Sequence, residues 1–334
     1  MKIDIHTHII PSEFPDFAKK FGYTGFVRLE HYAGNSGKMM IGDKLFREIG
    51  CNCWDPGVRM TECEKHNVDM QVLSPIPVLF CYWAKPEHAA EISSFLNDHI
   101  AGIVHKYPDK FIGLGTLPLQ APELAIREME RGMKEMGLAG FEIGTNVNGK
   151  NLDDENLFPV FRAAEELGAA IFVHPWDMMG KDSMPKYFMP WLVGMPAETS
   201  RALCSLIFGG VFERLPRLRV AFAHGGGGFG PSFGRIEHAF RMRPDLCATD
   251  NPVNPKNYLG KFYVDSLTHD PRILRFLIDL IGEDMIVFGS DYPFPLGESD
   301  PGTMIDSMDD LKTNTKEKIF SRNAIRWLGL NLKV

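Results

Sequence analysis

The first apolar run of the chain, Ile3-Asp4-Ile5, leads directly into His6-Thr7-His8. Side chains alternate along a strand, so His6 and His8 share a face. Two imidazoles side by side at the end of a buried strand form two corners of a transition-metal site. One such pair could equally be packed core histidines. Three later apolar runs end in the same way, at His174 after Ile171-Phe172-Val173, at His224 after Val220-Ala221-Phe222-Ala223, and at Asp291 after Ile286-Val287-Phe288-Gly289-Ser290. His6, His8, His174 and Asp291 together offer three imidazoles and one carboxylate, which suits a single zinc or similar divalent ion with one position left for water. Such an ion brings the pKa of its water to about 7. His224 is surplus to that set, and a neutral imidazole beside the ion can take a proton and later return it.

These residues need strands to carry them. The pattern predicts eight, over 3–8, 68–74, 111–117, 140–144, 169–174, 219–224, 262–267 and 285–290, with helical periodicity over 89–105, 122–136, 153–167, 197–212, 271–281 and 315–328. Repeated strand-helix units imply parallel strands, and eight of them imply an α/β fold of the (β/α)8 TIM-like barrel type. A doubly wound open sheet is the alternative, but it collects ligands at one switch point. Here the metal-type residues come from the first, fifth, sixth and eighth strands, and only closure brings the first and eighth together. We expect one barrel domain over 1–334. An inserted segment after the first strand, about 11–56, lacks a clear period and is placed over the barrel mouth, where loops carry function. Two further long loops are expected over 176–195 and 245–259.

Composition narrows the function classes. The net charge of −7 comes with no basic stretch, which argues against nucleic acid. No apolar run approaches the roughly 20 residues of a membrane span. The chain opens without a charged and apolar leader, so a cytoplasmic protein is expected. None of the six cysteines forms C-x-x-C, and all six are expected to be reduced thiols.

His6-Thr7-His8, His174-Pro175-Trp176-Asp177-Met178, His224-Gly225-Gly226-Gly227 and Gly289-Ser290-Asp291-Tyr292-Pro293-Phe294 resemble the amidohydrolase superfamily in its metal-dependent decarboxylase branch. The longer strings Trp54-Asp55-Pro56, Pro190 to Thr199, Asn251 to Gly260 and Asp291 to Glu298 carry the same resemblance, which runs over essentially the whole chain. It implies the (β/α)8 fold, one Zn2+ per subunit, a homodimer, and non-oxidative loss of CO2 from a small dicarboxylic semialdehyde of the kind met in tryptophan catabolism. It implies His6, His8, His174 and Asp291 as metal ligands, and His224 as the acid/base that acts with metal-bound hydroxide. It also implies Arg47 and Arg235 as carboxylate-binding residues, with Arg243 a third candidate and Arg235 reaching into the partner's site, and Trp191 and Phe294 as aromatic pocket walls. A guanidinium suits that task because it binds carboxylate bidentately and stays charged. Glu142 departs from the family pattern, which has glutamine there, and makes a second metal conceivable.

Gly225-x-Gly227-x-x-Gly230 fits a dinucleotide fingerprint, but His224 ends the preceding strand and Pro231 opens the next segment. The glycines are better read as a close backbone approach to the pocket. His238 and His269 are read as decoys, and His31, His66, His88, His99 and His105 as solvated. A hydrolase or hydratase on the same ion, an aromatic acid decarboxylase of the γ-resorcylate type, and a non-catalytic metal-binding protein are the competing function classes. No G-x-S-x-G supports serine hydrolysis.

Overall fold

The computed structural model describes residues 1–32 and 34–331 and forms the expected barrel. Position 33 and residues 332–334 of the expected 1–334 span lie outside the described residues. Strand β1 (Ile3–Ile9) is followed by an antiparallel excursion of β2 (Val27–Tyr32), β3 (Ser36–Ile41) and β4 (Lys44–Gly50). The parallel series resumes with β5 (Met70–Pro75), β6 (Phe111–Gly115), β7 (Gly140–Gly144), β8 (Ala170–His174), β9 (Arg219–Phe222), β10 (Tyr263–Asp265) and β11 (Ile286–Val287). Its order is β1-β5-β6-β7-β8-β9-β10-β11, and the ends meet where Ile5 N–H donates to the Phe288 carbonyl at 2.9 Å and His8 N–H to that of Tyr292 at 2.8 Å.

The strands are apolar on both faces, as strands buried between an axis and a ring of helices must be. Ile3, Ile5, Val72, Leu114, Phe172, Val287 and Trp327 fill the axis. Ile171, Val173, Val220, Phe222, Leu203 and Leu274 pack between strands and helices. This parity creates a conflict in β1. Ile3 and Ile5 face the axis, so strict alternation would turn His6 and His8 outward. The register of β1 against β5 shifts between Asp4 and Thr7, and this irregularity returns both histidines to the axis. Thr7 between them donates its hydroxyl to the Val72 carbonyl at 2.8 Å.

The inserted segment is more ordered than its sequence suggests. Its three strands expose most of one face, so Val27, Gly37, Met39 and Ile49 are the few buried points from which alternation could be read. A helix over Pro56–Lys65, with Asp55 as N-cap, also went unpredicted. The helix expected over 153–167 is observed as Phe158–Leu167, because Asp154 accepts from Asn156 N–H at 2.9 Å in a turn ahead of it. The run expected over 197–212 divides into Met195–Phe208 and Val211–Arg214 at Gly209-Gly210. All six cysteines are free, with Cys53 and Cys81 buried. No helix among the described residues is long and apolar enough to cross a membrane.

Candidate metal centre

His6, His8, His174 and Asp291 meet at one rim of the barrel, with one ligand atom from each lying within 4.8 Å of the others. All four are buried. Each imidazole is fixed through Nδ1. His6 Nδ1 lies 2.7 Å from an Asp265 carboxylate oxygen, His8 Nδ1 3.0 Å from the Pro75 carbonyl, and His174 Nδ1 3.1 Å from the Pro175 carbonyl. Carbonyl and carboxylate oxygens only accept, so each Nδ1 carries the proton and each Nε2 keeps a lone pair. The three Nε2 atoms are buried and have no hydrogen-bond partner. Orphaned buried nitrogens are costly unless something else takes them. Asp291 Oδ1 stands 3.5 Å from His6 Nε2 and 3.2 Å from His8 Nε2. Ligands about 2.0–2.1 Å from a shared tetrahedral ion are about 3.3 Å apart, so these separations fit a divalent cation.

The electrostatics agree. Burial, with the neighbouring histidines, holds the His174 imidazole well below its ordinary range. Burial likewise lowers His8, although Asp291 opposes it. Asp291 is held well below the carboxylate range, because the facing histidines outweigh its own burial. Neutral imidazoles and an ionised carboxylate are the protonation states that ligation needs.

His224 sits beside this group. Its ring centroid is 5.2 Å from that of His6 and 5.0 Å from that of His174, and its Nε2 is 3.8 Å from Asp291 Oδ2. Burial lowers its basicity, but Asp291 more than compensates, so its pKa is raised. The residue lies two positions beyond the end of β9 at φ 56°, a left-handed conformation that re-aims its side chain. Asp291 has φ 58° beyond β11. Gly225, Gly226 and Gly227 continue the left-handed path after His224, a backbone course open to glycine.

Asp265 was not singled out in the sequence. It accepts from His6, from His224 N–H at 2.9 Å and from Gly225 N–H at 2.7 Å, tying a candidate ligand to the His224 loop. Its signal was an acid at inward parity in β10, masked because it lies inside the expected strand and not at its end. Gly289 lets this arrangement close, since a Cβ there would stand 2.8 Å from His6 Cβ and 2.9 Å from Asp265 Cβ. Arg59 is a second omission. Fully buried, it donates to the His8 carbonyl at 2.7 Å and to Gln71 at 3.1 Å, and stacks 4.6 Å over the Tyr292 ring. The polar Pro56–Lys65 helix gave no sign of a buried face.

The centre opens into a cavity of about 770 Å³. Arg47, Trp191 and Phe294 all line it. The Arg47 guanidinium lies 4.5 Å over the Phe294 ring, and Trp191 stacks on Phe188 at 4.6 Å. Arg235 is exposed and does not line the cavity of its own chain. Arg243 also lies outside the lining and is paired with exposed Asp245 at 2.7 Å. Glu142 is fully buried, with Oε1 3.7 Å from His8 Nδ1 and neither oxygen hydrogen-bonded, and burial raises its pKa well above the carboxylate range. It is not a member of the clustered group.

His269, read as a decoy, is exposed and outside the clustered group, yet it lines the cavity. Three histidines read as solvated are partly buried, and His66 among them lies 3.5 Å from Asp300. His88 is partly buried and stacks on Phe21 with ring centroids 4.0 Å apart. His99 has a buried Nε2 without a partner, and burial lowers its pKa to about 4.

Comparison with known proteins bears on the whole chain. A family model described as amidohydrolase matches residues 3–330. The 2-amino-3-carboxymuconate-6-semialdehyde decarboxylase of Dictyostelium discoideum is 56% identical over 331 residues, covering 99% of this chain and 92% of that protein. The Caenorhabditis elegans enzyme of the same name is 36% identical, covering 99% of this chain and 94% of its own. A solved 5-carboxyvanillate decarboxylase from Novosphingobium aromaticivorans, complexed with manganese and 4-hydroxy-3-methoxy-5-nitrobenzoic acid, matches with a TM-score of 0.76 and 27% identity over 84% of this chain and 82% of that one. The chain therefore belongs to the amidohydrolase family, within its branch of metal-dependent decarboxylases.

Proposed function

We propose that this protein converts 2-amino-3-carboxymuconate 6-semialdehyde to 2-aminomuconate 6-semialdehyde and CO2. The observation that carries the reading is the convergence of three orphaned imidazole nitrogens and Asp291 in a chain 56% identical to a decarboxylase of that name. His6, His8, His174 and Asp291 would hold one Zn2+ per subunit. The nitrogen-rich donor set suits zinc, while the manganese of the 5-carboxyvanillate enzyme is the obvious competitor.

When bound, the cation supplies Lewis acidity and makes hydroxide available at neutral pH. The residues of the chain do the rest. Arg47 binds a substrate carboxylate through its guanidinium, and the Phe294 and Trp191 walls keep the site dry, which strengthens that charge pairing. His224 holds a proton at Nε2 on the Asp291 side of the cavity and gives it to substrate C3. There the bond to the departing carboxylate breaks, its electron pair stays on carbon, and the proton takes the place of CO2.

The working unit in this reading is a homodimer of single-domain chains in the cytoplasm. Arg235 would serve the partner's site, which accords with its exposure outside the cavity of its own chain, and Arg243 could reach a site only in the same way. Tyr187, Phe188, Leu192 and Val193 are exposed apolar residues, and two of them, Phe188 and Leu192, line the cavity, so a second chain there would cover an apolar patch beside the site.

The test is to add freshly generated 2-amino-3-carboxymuconate 6-semialdehyde to protein of known metal content. Equimolar substrate loss and CO2 release are expected. Substrate loss without CO2 would make the protein a hydrolase or hydratase, and metal binding without turnover would remove it from the enzymes. Mixing Arg235→Ala with His174→Ala subunits should restore part of the activity that each lacks alone, and no recovery after subunit exchange would count against a shared site.

A further inference from the structure

We infer that His269 is a specificity-determining residue that recognises the aldehyde end of the substrate, an inference that rests on the function proposed above. His269 follows β10 and lines the catalytic cavity. Its φ of 56° matches those of His224 after β9 and Asp291 after β11. Three consecutive barrel strands thus each send a chemically competent side chain to one cavity from a left-handed backbone position. That conformation is uncommon for a residue with a Cβ, and such positions cluster at ligand sites.

The substrate presents two carboxylates and one aldehyde. Arg47 and an arginine from the partner answer the carboxylates, and the aldehyde oxygen, a neutral acceptor, needs a hydrogen-bond donor. Most polar lining groups are already committed or cannot donate. The Thr268 hydroxyl donates to the Asp270 carbonyl at 3.2 Å, and the Asn52 amide donates to Glu62 at 3.3 Å. His8 and His174 are engaged at Nδ1 and belong to the metal group at Nε2. Glu48 brings carboxylate oxygens, which accept. His269 is left as a ring N–H donor on the wall beside the His224 loop, where a Cβ on Gly225 would touch Thr268 at 3.0 Å. His224 also lines the cavity, but its proton is the one transferred to substrate, and the Trp191 indole is the rival donor the test must separate.

The experiment compares wild type, His269→Ala, His269→Gln and Trp191→Phe by steady-state kinetics and metal content. Each is assayed with the semialdehyde and with an analogue that carries hydrogen in place of the aldehyde group. One neutral hydrogen bond predicts a rise in KM of about 3- to 10-fold for His269→Ala on the semialdehyde, with kcat within about 2-fold and metal content unchanged. His269→Gln, which keeps a donor, should recover part of the loss, and the analogue should not distinguish wild type from His269→Ala. An unchanged KM, an equal loss on both substrates, or an aldehyde-dependent loss in Trp191→Phe instead of His269→Ala would overturn the assignment. A wild type inactive on the semialdehyde would overturn the proposed function, and this inference with it, whereas an active wild type with an unaffected His269→Ala would overturn this inference alone.

Discussion

The rim and the mouth of the cavity are built differently. At the rim, each imidazole of the candidate metal group has one nitrogen tied to a carbonyl or carboxylate and the other aimed at a common point. These side chains stand on or just beyond strands that are buried on both faces. At the mouth, Arg47 comes from the antiparallel insertion and Trp191 from the loop after β8, and both rest on aromatic rings. Phe188 and Leu192 there are largely exposed. Under the proposed function, the chemistry is set on rigid elements, and recognition is set on elements that can change without disturbing it.

Substitutions should separate the two regions, and the largest effects belong to the rim. His174→Ala should lose both the metal and turnover, and a variant with full metal occupancy would show that His174 is no ligand. His224→Ala should keep the metal and lose about 10²–10⁴-fold in kcat, as removal of a general acid/base does. Loss of metal in that variant would move His224 into the ligand set. Next comes Asp265→Asn, which leaves His6 in place but weakens its orientation, and a 10- to 100-fold loss in metal affinity is expected in a competition assay with a chelator. At the mouth, Arg47→Ala should raise KM by about 10- to 100-fold, the cost of one charged hydrogen-bonded contact, with metal content untouched. A fall in metal content there would mean that the insertion shapes the rim as well.

Beneath the rim lies a third, purely structural region. Phe172 links His6, 5.0 Å away, to the fully buried Trp327, 6.0 Å away on its other side. Trp327→Ala should lower the unfolding free energy by about 3–5 kcal/mol in a denaturant titration, while the folded fraction keeps its metal stoichiometry.

Much of the rim was legible in the sequence, because buried parallel strands read as unbroken apolar runs and a polar residue ending one stands out. His6, His8, His174, His224 and Asp291 all carried that signal. The register shift in β1 did not, since a period-two reading of 3–8 cannot show where parity slips. Asp265 and Arg59 were hidden for opposite reasons. One is an acid inside an apolar strand, and the other is a base in a helix whose composition looks exposed. The mouth was nearly illegible. The three strands of the insertion bury too few residues to show a period, and Arg47 was reached through family resemblance. His269 was read as a decoy because it lies in the loop after the seventh barrel strand, and what brings it to the cavity is a backbone angle that no periodicity records.

The most direct test of the metal assignment is an anomalous-diffraction crystal structure of the protein loaded with zinc. One ion per chain is expected, within about 2.0–2.2 Å of Nε2 of His6, His8 and His174 and of an Asp291 oxygen. An ion held elsewhere, or one that leaves any of those three nitrogens without a partner, would contradict it.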